Sequence, residues 1–87
     1  MANIDTLVNN TFRVLGYLYD MRDKNNLVRV TQNEISQELD LNRKTVNTAF
    51  KTLKENGYII HDETRVGRYY LTDSGVKTVE LFRKSEK

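Results

Sequence analysis

The stretch from Thr31 to Leu53, TQNEISQELDLNRKTVNTAFKTL, carries two amphipathic patterns in quick succession. Thr31, followed three residues later by Glu34, has the pattern of a capping box, in which a hydroxyl and a carboxylate satisfy backbone N–H groups left open by the first helical turn. Behind it, Ile35 and Leu39 fall on one helix face, and Leu41 follows after a turn. Asn42 is a second N-cap residue type. Val46, Ala49, Phe50 and Leu53 then recur at spacings of three and four. The spacing predicts two short helices joined by a tight turn, a helix-turn-helix arrangement. At about 100° per residue, the opposite face of the second helix holds Lys44, Asn47, Thr48, Lys51 and Glu55, flanked by Arg43 and Lys54.

Moving outward, Lys54-Glu55-Asn56-Gly57 ends this helix, with Gly57 as a left-handed cap. Tyr58 to His61 and Arg68 to Leu71 read as two strands of a hairpin. Its tip, DETRVG, offers Gly67 for an unusual backbone angle. Strand alternation predicts one of Tyr69 and Tyr70 in the core and the other exposed. Thr72 or Asp73 then caps a last helix bearing Val76, Val79 and Phe82 on one side, with Leu81 nearby.

Upstream, a first helix is expected from Asp5, as N-cap, to about Arg22. Leu7, Thr11, Val14, Leu15, Leu18 and Arg22 form one stripe along it, and Val8, Phe12 and Tyr19 form a second beside it. The second stripe has two open uses, as further core cover or as a contact with a partner subunit. Gly16 inside this helix is either a close-approach point or a tolerated interruption costing about 1 kcal/mol relative to Ala. DKNN, Asp23 to Asn26, is a turn, and Leu27 to Val30 a short strand. The fold class is α+β, mostly α, in the order helix, strand, helix, helix, strand, strand, helix. We expect a single domain over 1–87, with the helix-turn-helix at about 31–56, the hairpin at about 58–71 and terminal helices at about 5–22 and 73–84.

Composition narrows the chemistry. The 87 residues suit one small core, and they include no Cys, Pro or Trp. Thiolate metal sites and disulfides are excluded. No apolar run reaches the ~20 residues of a membrane span, and the N-terminus has no signal-peptide pattern. Net charge is only +2, but Leu41 to Tyr70 holds Arg43, Lys44, Lys51, Lys54, Arg65 and Arg68 against Glu55, Asp62 and Glu63. The local balance is +3 and the rest of the chain sums to −1, which favours a polyanionic partner for this half. Glu34, Glu38 and Asp40 would repel phosphate, so the helix that carries them is not the expected contact surface. The sole His, His61, has no Ser or Cys motif around it and is expected to be ordinary surface. No phosphate-binding glycine loop or metal-ligand spacing is present, so neither enzyme activity nor a cofactor is expected.

The Thr31 to Tyr58 stretch resembles the helix-turn-helix of winged-helix transcription regulators. Ile35, Leu39, Leu41, Val46, Phe50 and Leu53 stand at the apolar positions, and Ser36 is the small residue where the helices cross. LKENGYI is similar to the usual exit into the first wing strand, and YYLTDSGVK resembles the second wing strand and following helix of MarR-type repressors. The resemblance covers about two thirds of the chain and implies a winged helix that binds double-stranded DNA.

The physical reading agrees. A helix ~10–12 Å across enters a major groove ~12 Å wide. Arg43 and Lys44 could donate to guanine, Asn47 could pair with adenine, and Thr48 could reach a base edge or thymine methyl. Asn42 and Thr45, at the helix end, are placed for phosphate, and Lys51 and Lys54 for backbone farther along. Arg65 and Arg68 on the wing would meet the minor groove or phosphate, and a hydroxyl of Tyr69 or Tyr70 could join them. One recognition helix reads few base pairs, so a homodimer through the first and last helices is expected. The expected partner is double-stranded DNA, with no membrane and no small-molecule ligand, in a cytoplasmic, nucleoid-associated protein. Alternatives are a plasmid or phage replication or partition factor, and a winged helix used as a protein-interaction module.

Overall fold

A computed structural model describes the backbone of residues 2–85 and the side chains of residues 10–84. The elements are α1 (Ala2–Met21), β1 (Leu27–Arg29), α2 (Gln32–Leu39), α3 (Arg43–Glu55), β2 (Ile59–His61), β3 (Arg68–Leu71) and α4 (Asp73–Ser85). This is the expected order. One boundary differs clearly: α1 starts at Ala2, so Asp5 lies within the helix and is not its cap. Residues that favour caps do not begin a helix on their own, and no Pro or Gly upstream of Asp5 interrupts one. Leu7 and Val8 of the expected stripes lie outside the described side chains.

The three helices α1, α2 and α3 pack around a common centre. Val14, Leu15 and Leu18 of α1, Ile35 of α2, and Val46, Phe50 and Leu53 of α3 have essentially no exposed surface. Each such side chain contributes about 1.5–3 kcal/mol on leaving water. The sheet closes one side. Its order is β1-β3-β2, antiparallel throughout, with Val28 opposite Tyr69 and Ile60 opposite Tyr70. Val28, Tyr69, Leu71 and Ile59 face the core, whereas Tyr70 and Ile60 face out. Tyr69 meets Phe50 edge-on, ring centres 4.7 Å apart. Among the described residues, no buried side-chain polar atom lacks a hydrogen-bond partner.

Local chemistry sets the element ends. The capping box at α2 is complete: Glu34 N donates to Thr31 Oγ1 at 3.1 Å and Thr31 N donates to Glu34 Oε1 at 2.8 Å. Asp40 ends α2 with a left-handed φ of 55°, a conformation Asp tolerates better than most L residues. Ser36 Oγ donates to the Leu41 carbonyl and closes the turn between α2 and α3. Thr45 N donates to Asn42 Oδ1 at 2.7 Å, as an N-cap requires. At the other end of α3, Gly57 has φ 74°. Its N–H reaches the Lys54 carbonyl at 3.1 Å, and Tyr58 N reaches Leu53 O at 3.0 Å, the paired bonds of a Schellman stop.

Thr72, rather than Asp73, caps α4, because its Oγ1 accepts from Gly75 N at 3.1 Å. The same hydroxyl donates to the Gly57 carbonyl at 2.6 Å, which ties the start of α4 to the end of α3. Farther along, α4 covers the second stripe of α1. Phe82 stacks on Phe12 with ring centres 4.9 Å apart, and Tyr19 Oη donates to Glu80 Oε2 at 3.2 Å. Arg83 makes paired 2.9 Å contacts with the Asp20 carboxylate, whose pKa is lowered chiefly by that hydrogen bond. At Gly16 an added Cβ would meet only the tip of the Arg83 side chain, 3.3 Å away, and no backbone of another helix, so this glycine is not a helix-crossing point. Phe12 and Tyr19 thus serve the chain's own last helix.

Candidate nucleic-acid interface

The exposed face of α3 is built by exclusion. Val46, Ala49, Phe50 and Leu53 occupy the inward positions, so Arg43, Lys44, Asn47, Thr48, Lys51 and Lys54 are all exposed. Thr45 is half-buried at the helix start, and Asn42 is exposed with its side-chain oxygen committed to the cap. Thirteen residues make α3 about 20 Å long. No acidic residue stands in its first turn.

Of the acids of α2, Glu34 is held by its capping bonds to Thr31, and Glu38 is exposed. Burial is the main cause raising the Tyr17 pKa, and Glu38 and Glu34 add to it. Asp40 lies on the turn.

The wing stands beside α3, joined to it through the Tyr69–Phe50 contact. Its tip is ordered by Asp62. The carboxylate accepts from Thr64 Oγ1 at 2.6 Å and Thr64 N at 3.0 Å, and Arg65 N reaches the Asp62 carbonyl at 3.2 Å. The Thr64 hydroxyl is the largest cause holding the Asp62 pKa down, and Arg68 and Arg65 act in the same direction. Gly67, with φ 77°, brings its carbonyl within 3.0 Å of Val30 N, so the returning edge of the tip packs beside the start of α2. Arg65 is exposed at the tip, and Arg68 is half-buried at the base of β3.

Tyr69 is core and Tyr70 is 38 % exposed, as alternation predicted. His61 departs from expectation. It shares the inner face with Ile59 and is half-buried, its ring stacked 4.9 Å from that of Tyr69. Two residues of this region carried no sequence signal. Gln32 accepts a hydrogen bond from Asn47 Nδ2 at 3.4 Å. Arg29, exposed on β1, is the direct cross-strand partner of Arg68. Both depend on pairings across elements that periodicity within one element does not reveal.

Among the described residues, no group of three or more His, Cys, Asp or Glu side chains gathers to hold a metal. No described helix is long and apolar enough to cross a membrane.

A helix-turn-helix with a polar, basic second helix and an arginine-bearing wing defines a class, the winged helix-turn-helix domain of DNA-binding regulators. Residues 12–74 match the Crp-like helix-turn-helix domain, and the chain belongs to that family. Among solved structures, it is similar to MepR of S. aureus in complex with DNA, with a TM-score of 0.66, 31 % identity, and coverage of 87 % of this chain and 61 % of that one. It is also similar to a MepR variant bound to an oligodeoxyribonucleotide, at TM-score 0.65 and 30 % identity over 90 % of this chain and 59 % of that one. A MepR variant from a multidrug-resistant S. aureus clinical isolate gives TM-score 0.64 and 32 % identity, over 85 % and 54 % respectively. The chain therefore spans about three fifths of the MepR chain in the DNA complex. No curated protein sequence matches it.

Proposed function

We propose that this chain is a sequence-specific, double-stranded DNA-binding transcription regulator, with residues 1–87 acting as one winged-helix unit. The observation that carries the reading is the exposed face of α3, with Lys44, Asn47, Thr48 and Lys51 outward on a domain similar to DNA-bound MepR. In this reading α3 enters the major groove. Its early residues Arg43, Lys44 and Asn47 meet base edges, while Asn42 and Thr45 sit near phosphate and Lys51 and Lys54 follow the backbone. Arg65 and Arg68 grip the adjacent backbone or minor groove.

Lys44→Ala and Asn47→Ala are each expected to weaken specific binding by about 1–3 kcal/mol with the fold intact. A gel-shift titration on a duplex selected from a random pool measures this, and unchanged affinity would contradict it. Arg65→Ala is expected to lower affinity evenly across sequences and to flatten the slope of log K against log salt by about one unit. A base-dependent loss without a change in slope would assign Arg65 a different role.

We further propose a homodimer through α1 and α4. Phe12 and Tyr19 pack within the chain, and among the described residues of α1 and α4 Leu81, 68 % exposed, and Met21, 51 % exposed, are apolar side chains offered outward. Two-fold pairing would set two copies of α3 about 34 Å apart, one DNA turn. Sedimentation equilibrium decides between monomer and dimer.

A further inference from the structure

We infer that Gln32, the first residue of α2, is a positioning residue that sets the base preference of Asn47. The inference rests on α3 reading bases as proposed above. Asn47 Nδ2 donates to Gln32 Oε1 at 3.4 Å, a contact between side chains fifteen residues apart on different helices. Both side chains sit at the surface, Asn47 exposed and Gln32 half-buried, so the contact serves no core.

An asparagine amide has one acceptor oxygen and two N–H donors. Recognition of adenine in the major groove requires the oxygen to accept from N6 while one N–H donates to N7. A lone exposed Asn presents either end of its amide outward. Committing one N–H to Gln32 Oε1 sets which end is which for as long as Gln32 keeps that oxygen toward Asn47, the orientation the structure shows. The remaining N–H and the oxygen then stay together, the pair that adenine needs. The bond is long in the free protein, and it strengthens once a base pair displaces water and the local dielectric falls.

The test uses the full chain and a duplex selected from a random pool, with each base pair of the site replaced in turn and affinity read by fluorescence anisotropy. Asn47→Ala first identifies the position it reads, as the place where a preference of about fivefold or more disappears. Gln32→Ala is expected to remove most of the preference at that same position, with preferences elsewhere within about twofold of wild type and an unchanged melting curve. The double variant should discriminate no worse there than Asn47→Ala alone. Gln32→Glu keeps the acceptor oxygen, so it should retain the preference while its added negative charge weakens binding to every sequence.

Full preference in Gln32→Ala, additive losses in the double variant, or lost preference in Gln32→Glu would each overturn the inference while leaving Asn47 as a base reader. If Asn47→Ala changed no base preference, the reading of α3 itself would fall, and this inference with it.

Discussion

Replacing Phe50 by alanine is expected to destabilise the domain by about 3–5 kcal/mol. Phe50 is 1 % exposed and packs edge-on against Tyr69, so the change leaves a void between α3 and the wing. The lost aromatic pair adds about 0.5–1.5 kcal/mol beyond area alone. For a domain of this size, total stability is about 4–13 kcal/mol, so much of it goes at once. Tyr69 also carries His61 on its ring, so the loss extends into β2. The neighbouring Lys51→Ala, at an exposed position, should change stability by less than about 0.5 kcal/mol. Urea unfolding followed by circular dichroism separates the two. Near-wild-type stability of Phe50→Ala would mean that α3 and the wing are not held together as described.

Gly75→Ala is the second change expected to have a large effect. An added Cβ would stand 2.2 Å from the Tyr58 carbonyl oxygen and 3.1 Å from its carbon. These are backbone atoms and cannot swing aside. That same carbonyl accepts from Thr72 N at 3.1 Å, so moving it also breaks the link between the end of α3 and the start of α4. Overpacking of this kind costs about 1–3 kcal/mol. At roughly 4–8 °C per kcal/mol for a small domain, the melting temperature should fall visibly. Native-state hydrogen exchange should show α4 opening first, since Gly75 lies in its first turn. Ser74→Ala, one residue earlier and exposed, serves as the control. A melting temperature unchanged by Gly75→Ala would contradict the close approach.

The features legible in the sequence were those written in local spacing. The Thr31–Glu34 box, the Asn42 cap, the Val46-Ala49-Phe50-Leu53 stripe and the Gly57 stop each depend on residues within about two turns of each other. The division of Tyr69 and Tyr70 follows from strand alternation alone. Features that depend on distant partners stayed hidden. Gly75 reads as part of a helix start, and only the approach of Tyr58 shows why a side chain does not fit there. The use of Phe12 and Tyr19 could not be decided until α4 was seen to lie across them. His61 looked like surface because it ends a strand beside the polar wing tip, whereas its neighbour in space is Tyr69. At the candidate site, the exposed cations of α3 followed from the opposite face being apolar. Gln32 and Arg29 did not, because helix crossing and strand register bring them in.

The most direct test is to map the bound DNA on the chain itself. Titration of an isotopically labelled sample with a selected duplex, followed by amide chemical shifts, reads every backbone position in one experiment. The account predicts the largest changes at Arg43 to Lys51, with a second group at Thr64 to Arg68 and little change along the solvent side of α4. Shifts concentrated on α1 and α4 with α3 silent, or none with any duplex, would contradict it.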